Sequence, residues 1–267
     1  MNRRDLCLLG LATFAARLRS SPEPSLFAQS LQAELSSINA ELLVLDARAQ
    51  QILANTFADP LRPMPVGSLL KPFLAFAYLT RPHATLRVVC RGHVDRCWSL
   101  QGHGALTLQQ ALAQSCNAYF LALAQTLRMD EIGVPTPPPR TATAEDLIGL
   151  TAAWPVAPYT LARTYALLLC SPATPPEILE GMRLAATEGT ALRIGVHPGG
   201  VLAKTGTAPC VADSAPCKAT GDGLVLAAVP ADSPKLVLLV RRRATTGAVT
   251  AATAGRVLTE LKEAHAY

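Results

Sequence analysis

Apolar and polar positions fall into blocks whose spacing changes along the chain. Glu41 to Asp46 frames the run Leu-Leu-Val-Leu, which reads as a strand; Asp46-Ala-Arg48 reads as a turn, and Gln51-Ile-Leu-Ala54 as a returning strand. Val201 to Ala203, Leu224 to Val229 and Leu236 to Val240 are three more apolar runs of strand length. Helical spacing marks Leu26 to Ile38 through Leu31, Leu35 and Ile38, and residues 248–264 through Val257, Leu258 and Leu261. Between the two strand blocks, residues 57–200 hold helical segments and turns, punctuated by Pro82, Pro135 to Pro139, Pro172, Pro175 and Pro176. The order helix, two strands, long helical insertion, three strands, helix predicts an α/β fold of the α+β type. Its sheet is largely antiparallel and flanked by terminal helices, with an all-helical lobe inserted. Residues 29–56 and 201–267 would form the α/β lobe and residues 57–200 the helical lobe.

Composition narrows the class. Of 267 residues 50% are hydrophobic and only 16% charged, too apolar for a disordered chain and enough for one core or two small lobes. The net charge of +5 is unclustered outside Arg241 to Arg243, which argues against a nucleic-acid partner. No stretch reaches the roughly 18 unbroken apolar residues of a spanning helix. Residues 1–28 have the basic-then-apolar order of an export signal or N-terminal anchor: Arg3 and Arg4, then Leu6 to Ala16, then Arg17 and Arg19. A frayed amphipathic N-terminus is the alternative. Export predicts a periplasmic domain, or one on the outer face of the cytoplasmic membrane.

Cys7 falls in that leader. Of the other six cysteines, Cys90/Cys97 and Cys210/Cys217 share a C-x6-C spacing. Zinc knuckles place two to four residues between ligands, so the spacing argues against a metal, and loop disulfides are expected in an exported chain. Free buried thiols remain the other reading. Cys116 is expected to point into a helix core, His103 to be a loop or packing residue, and Trp98 and Trp154 to anchor the core.

Three short motifs could carry chemistry. Ser68 and Lys71 stand three apart at the start of the apolar run Leu69 to Leu79, on one face of a buried helix. Burial lowers a lysine's pKa until it can take a hydroxyl proton; the plainer reading is a serine cap beside an incidental lysine. Thr107 and Gln110 form a capping box for a helix that Ser115-Cys116-Asn117 interrupts before a second helix from about Ala118. Ser115 and Asn117 could face one cleft or simply cap that helix. Lys204-Thr205-Gly206-Thr207 closes an apolar strand, placing a cation and hydroxyls beside a backbone edge that can hold an extended peptide; a solvated strand end is the alternative.

In this order, S-x-x-K, S-x-N and K-T-G-T resemble the motif set of the transpeptidase domain of penicillin-binding proteins, within the serine DD-peptidase and serine β-lactamase superfamily. The likeness extends over residues 40–265 and includes Glu188-Gly189-Thr190 and Gly247. It implies an acyl-enzyme mechanism on D-Ala-D-Ala stem peptides of peptidoglycan, with Ser68 as nucleophile, Lys71 as general base and Ser115 as proton relay. Asn117, Lys204, Thr205, Gly206 and Thr207 would bind substrate. It also implies β-lactams as covalent inhibitors and no cofactor, and so small a domain is expected to depend on a partner protein of cell-wall synthesis. Two places depart from the family: Ala203 stands where Gly is usual, and Leu224 to Ala228 where an aromatic run is common. A class D-like serine β-lactamase and a non-enzymatic β-lactam sensor are the alternative readings.

Overall fold

A computed structural model describes residues 38–82, 85–133, 135–210, 221–264 and 266–267. The expected leader, nearly all of the expected helix at Leu26 to Ile38, and Cys217 lie outside the described residues.

Strands β1 (Glu41–Asp46) and β2 (Ile52–Asn55) form a hairpin. Its turn is an Asx turn, in which Asp46 Oδ1 accepts from the backbone of Arg48 at 2.8 Å and Ala49 at 2.7 Å. Strands β5 (Leu202–Ala208), β6 (Asp222–Val229) and β7 (Leu236–Arg242) complete a five-stranded, wholly antiparallel sheet of order β2-β1-β7-β6-β5. The inner strands are covered on both faces, which is why they read as continuous apolar runs. Leu42, Val44, Val225, Ala227, Leu238 and Val240 pack with Ala251, Ala254, Val257, Leu258 and Leu261 of the last helix, Gly247–Glu263. On the opposite face Leu43, Leu45, Leu224, Leu226 and Leu239 join the core of the inserted helices.

The insertion contributes α1 (Lys71–Leu79), α2 (Leu108–Ala113), α3 (Asn117–Thr126), α4 (Ala144–Leu147), α5 (Pro158–Cys170) and α6 (Pro176–Thr187), so that Gly247–Glu263 is α7. Among the described residues its strands are a two-stranded ribbon, β3 (Val88–Cys90) with β4 (Gly104–Leu106), and Met64 and Val156 form an isolated bridge. Each ribbon strand is three residues long, too short for its alternation to stand out in the sequence. β5 lies at one edge of the sheet, and there it meets the insertion.

Candidate active site

Ser68 sits in a single 3-10 turn, Gly67–Leu70, that runs into α1. Gly67 has φ +57°, and a Cβ there would lie 2.7 Å from the Thr207 carbonyl oxygen, so this turn and β5 touch backbone to backbone. The wholly buried Tyr165 of α5 anchors the turn by donating from its hydroxyl to the Leu69 carbonyl at 2.7 Å. Nothing in the sequence distinguished Tyr165 from other core aromatics. Lys71 opens α1 and is wholly buried, whereas Ser68 remains partly exposed to a cleft.

The second motif is a helix ending. Thr107 and Gln110 form the expected capping box of α2, with bonds of 3.0 and 3.3 Å. At the other end Ser115 N–H donates to Leu112 and Cys116 N–H to Ala111, at 3.1 and 2.9 Å, the pattern of a Schellman ending. That ending requires a left-handed residue, usually glycine; here it is Ser115, with φ +50°. The strained residue aims its hydroxyl at two lysines. Lys204 Nζ donates to Ser115 Oγ at 2.8 Å, and Lys71 Nζ lies 3.3 Å from the same oxygen. Lys71 also donates to the Ser115 carbonyl and to Asn117 Oδ1, both at 2.7 Å.

Both lysines are wholly buried. Burial lowers the Lys71 pKa to about 7, partly opposed by the nearby thiols of Cys116 and Cys97. Burial, and then the charge of Lys71, hold Lys204 well below the ordinary lysine value.

Along β5, Thr205 is buried and shares a 2.6 Å hydrogen bond with Thr190, whose hydroxyl donates onward to the Ala113 carbonyl at 3.2 Å. Gly206 is a packing position: a Cβ would lie 2.9 Å from the Val66 carbonyl oxygen. Thr207 is exposed, and its hydroxyl accepts the Gly247 N–H at 3.1 Å, leaving its own hydrogen for the cleft. The cleft encloses about 470 Å³, lined by Ser68, Ser115, Asn117, Thr205, Gly206 and Thr207, with Trp98 and Leu150 as apolar walls. Trp98 is therefore not a core anchor: it is 53% exposed, and its indole N–H donates to the Gln114 carbonyl at 3.1 Å. Trp154 is buried as expected.

No protein-family model and no curated protein matches the sequence. Solved structures do match in three dimensions. PBP2 of Pseudomonas aeruginosa superposes with a TM-score of 0.70 at 18% identity, over 89% of this chain and 73% of that one. PBP2 of Helicobacter pylori, in its complex with MreC, gives 0.70 at 14% identity, over 88% of this chain and 62% of that one. The transpeptidase domain of Burkholderia pseudomallei penicillin-binding protein 3 gives 0.65 at 16%, over 89% and 92%. The chain has the fold of penicillin-binding protein transpeptidase domains. It spans less than two thirds of the length of the Helicobacter protein.

Within this transpeptidase fold the cysteines depart from expectation. Cys90 and Cys97 form no disulfide; both are free and buried, as is Cys116. Their sulfurs and His103 Nδ1 all lie within 4.8 Å of one another. The thiols converge on the imidazole and on Cys116 instead of pairing side by side; Cys116 is wholly buried in the core of the inserted helices, as expected, and His103 is a part-buried loop residue packed against the Cys90 and Cys97 sulfurs. The C-x6-C spacing predicts only a local pair, whereas these four donors are drawn from four separate stretches of chain. Cys210 is disulfide-bonded; its expected partner, Cys217, lies outside the described residues.

Proposed function

We propose that the protein is a penicillin-binding, acyl-serine DD-transpeptidase acting on D-Ala-D-Ala stem peptides during peptidoglycan cross-linking. The observation that carries this reading is the Ser115 hydroxyl held between Lys71 and Lys204, at 3.3 and 2.8 Å, on the wall of the cleft that Ser68 lines.

In the acylation step Ser68 Oγ bonds to the carbonyl carbon of the penultimate D-Ala and its proton passes to Lys71. The negative oxygen that forms would be received by the backbone N–H groups of Ser68 and Thr207, a contribution typically worth about 100- to 1000-fold in rate per donor. Collapse breaks the C–N bond, and a proton delivered through Ser115 lets the terminal D-Ala leave as a neutral amine. An amine of a second stem peptide then attacks the ester, forms the new amide and returns the proton to Ser68. Water in its place gives carboxypeptidase action.

Lys71 suits the base role because its lowered pKa leaves much of it neutral near pH 7. The edge strand β5 would align the peptide, Thr207 would hold the terminal carboxylate, and the Asn117 amide, its oxygen already occupied by Lys71, would donate to the peptide chain. The proposed reaction calls for an exported domain, in the periplasm or on the outer face of the cytoplasmic membrane, and the basic-then-apolar order of residues 1–28 supports that reading. A partner of the cell-wall synthesis machinery is part of the proposal, supported by the Helicobacter PBP2 complex with MreC.

The test is mass spectrometry of the protein with a penicillin and, separately, with a D-Ala-D-Ala peptide. A lasting adduct on Ser68, absent in Ser68→Ala, together with D-Ala release is expected. Fast penicillin turnover would favour a β-lactamase and overturn the transpeptidase reading.

A further inference from the structure

We propose that Cys90, Cys97, His103 and Cys116 form a structural zinc site that fastens the Ser115–Asn117 junction to the wall of the cleft. Zinc bonds of about 2.3 Å to sulfur and 2.0–2.1 Å to imidazole nitrogen, directed to tetrahedral corners, require sulfur–sulfur edges of about 3.8 Å and sulfur–nitrogen edges of about 3.5 Å. Cys97 and Cys116 sulfurs are 3.9 Å apart, and His103 Nδ1 lies 3.5 Å from Cys90 Sγ and 3.6 Å from Cys97 Sγ. These are the separations of ligands around one shared ion. A disulfide would bring two sulfurs to about 2.05 Å and leave the third thiol and the imidazole without a role.

The surroundings support a closed site. The three cysteines are 0–3% exposed. His103 Nε2 is buried without a hydrogen-bond partner among the described residues, so the imidazole's polar contacts are the two sulfurs. Four protein donors with three of them sulfur fit four-coordinate zinc, and a full donor set leaves no open position for water or substrate.

The donors come from the end of β3 (Cys90), the loop after the 3-10 turn at Gly92–Asp95 (Cys97), the residue before β4 (His103) and the junction between α2 and α3 (Cys116). One ion would therefore tie the ribbon to the segment that contacts both lysines. Cys116 stands between Ser115, whose left-handed backbone needs outside restraint, and Asn117, which receives Lys71. Cys97 precedes Trp98, so the same ion would hold one wall of the cleft. The consequence for Ser115 rests on the acyl-transfer reading; the zinc site itself does not.

The test uses the full chain purified under reducing conditions. Elemental analysis is expected to give about one zinc per chain, and replacement by Co²⁺ the intense visible bands and sulfur-to-cobalt charge transfer of a tetrahedral thiolate site. Cys90→Ser is expected to lower bound zinc below about a tenth of an equivalent after dialysis against a chelator. Failure to take up zinc from added salt, a cobalt spectrum without those bands, or a disulfide among Cys90, Cys97 and Cys116 on peptide mapping would overturn the site. Should Cys90→Ser fail to fold, the cobalt spectrum of the unaltered chain decides. Stripping zinc is expected to slow penicillin acylation of Ser68 by tenfold or more, reversed by zinc; an unchanged rate in the folded, stripped chain would overturn the positioning role. A chain that holds zinc but is not acylated would instead overturn the proposed function.

Discussion

Lys204 Nζ donates to the Ser115 hydroxyl at 2.8 Å, across 89 positions of sequence, and so joins the edge strand to the helix junction. Lys71 approaches the same oxygen, and its other two partners, the Ser115 carbonyl and Asn117 Oδ1, can only accept. Once Lys71 loses a proton, its lone pair is free for a hydroxyl, that of Ser115 or Ser68.

A pH dependence follows from that geometry. The Lys71 pKa is lowered to about 7, so its base form is scarce below that pH and dominant above it. Acylation by a chromogenic cephalosporin, followed by stopped flow, should rise about tenfold per pH unit from pH 5 to near 7 and then level. A rate still climbing at about pH 9 would mean that Lys71 is not the base or that its ammonium is stabilised by more than these acceptors.

Ser115 stores strain that two substitutions can isolate. Ser115→Ala and Ser115→Gly both lose the hydroxyl, and both should lose penicillin acylation by about 100-fold or more, the upper range for removal of a proton-transfer group being about 10⁴. They differ in the backbone at φ +50°, where glycine avoids a cost of about 1–2 kcal/mol. Urea unfolding should therefore find Ser115→Gly more stable than Ser115→Ala by about 1 kcal/mol; equal midpoints would show that the turn relaxes.

Legibility in the sequence tracked locality. The strands, the capping box of α2 and the three motifs are stretches in which spacing and burial agree, so β1, β2, β6, β7 and α7 fell close to where the apolar pattern put them. β5 runs on to Ala208 through Lys204 and Thr205 because pairing with β6, and not hydrophobicity, extends it. The left-handed Ser115 was hidden, since a serine after Gln114 signals nothing until the Schellman bonds of Ser115 and Cys116 are seen. Trp98 departs from the core position its size predicts because the ribbon turns the indole into the cleft. The spacing of Cys90 and Cys97 predicts a local pair, whereas His103 and Cys116 reach them only through the tertiary fold.

Gly206 tests how closely β5 must approach the turn that carries Ser68. A Cβ there would lie 2.9 Å from the Val66 carbonyl oxygen, and Gly247 on the far side already requires the same closeness, its own Cβ falling 2.4 Å from the Gly206 oxygen. With backbone on both sides the strand must shift. Gly206→Ala should cost about 1–3 kcal/mol in urea unfolding and reduce acylation by more than its stability loss explains. Full acylation in the folded variant would show that the cleft tolerates a wider gap between Ser68 and β5.

Trp98 separates a cleft wall from a core anchor. Truncating a buried tryptophan costs about 3–5 kcal/mol, but this indole is 53% exposed and holds one hydrogen bond, to the Gln114 carbonyl. Trp98→Ala should therefore move the urea midpoint little while lowering the second-order rate of acylation about tenfold, a loss of about 1.4 kcal/mol of apolar contact in the transition state. Trp98→Phe keeps a ring without the indole N–H and should recover most of that rate. If Trp98→Ala instead unfolds readily and acylates normally when folded, the residue stabilises the ribbon and takes no part in substrate contact.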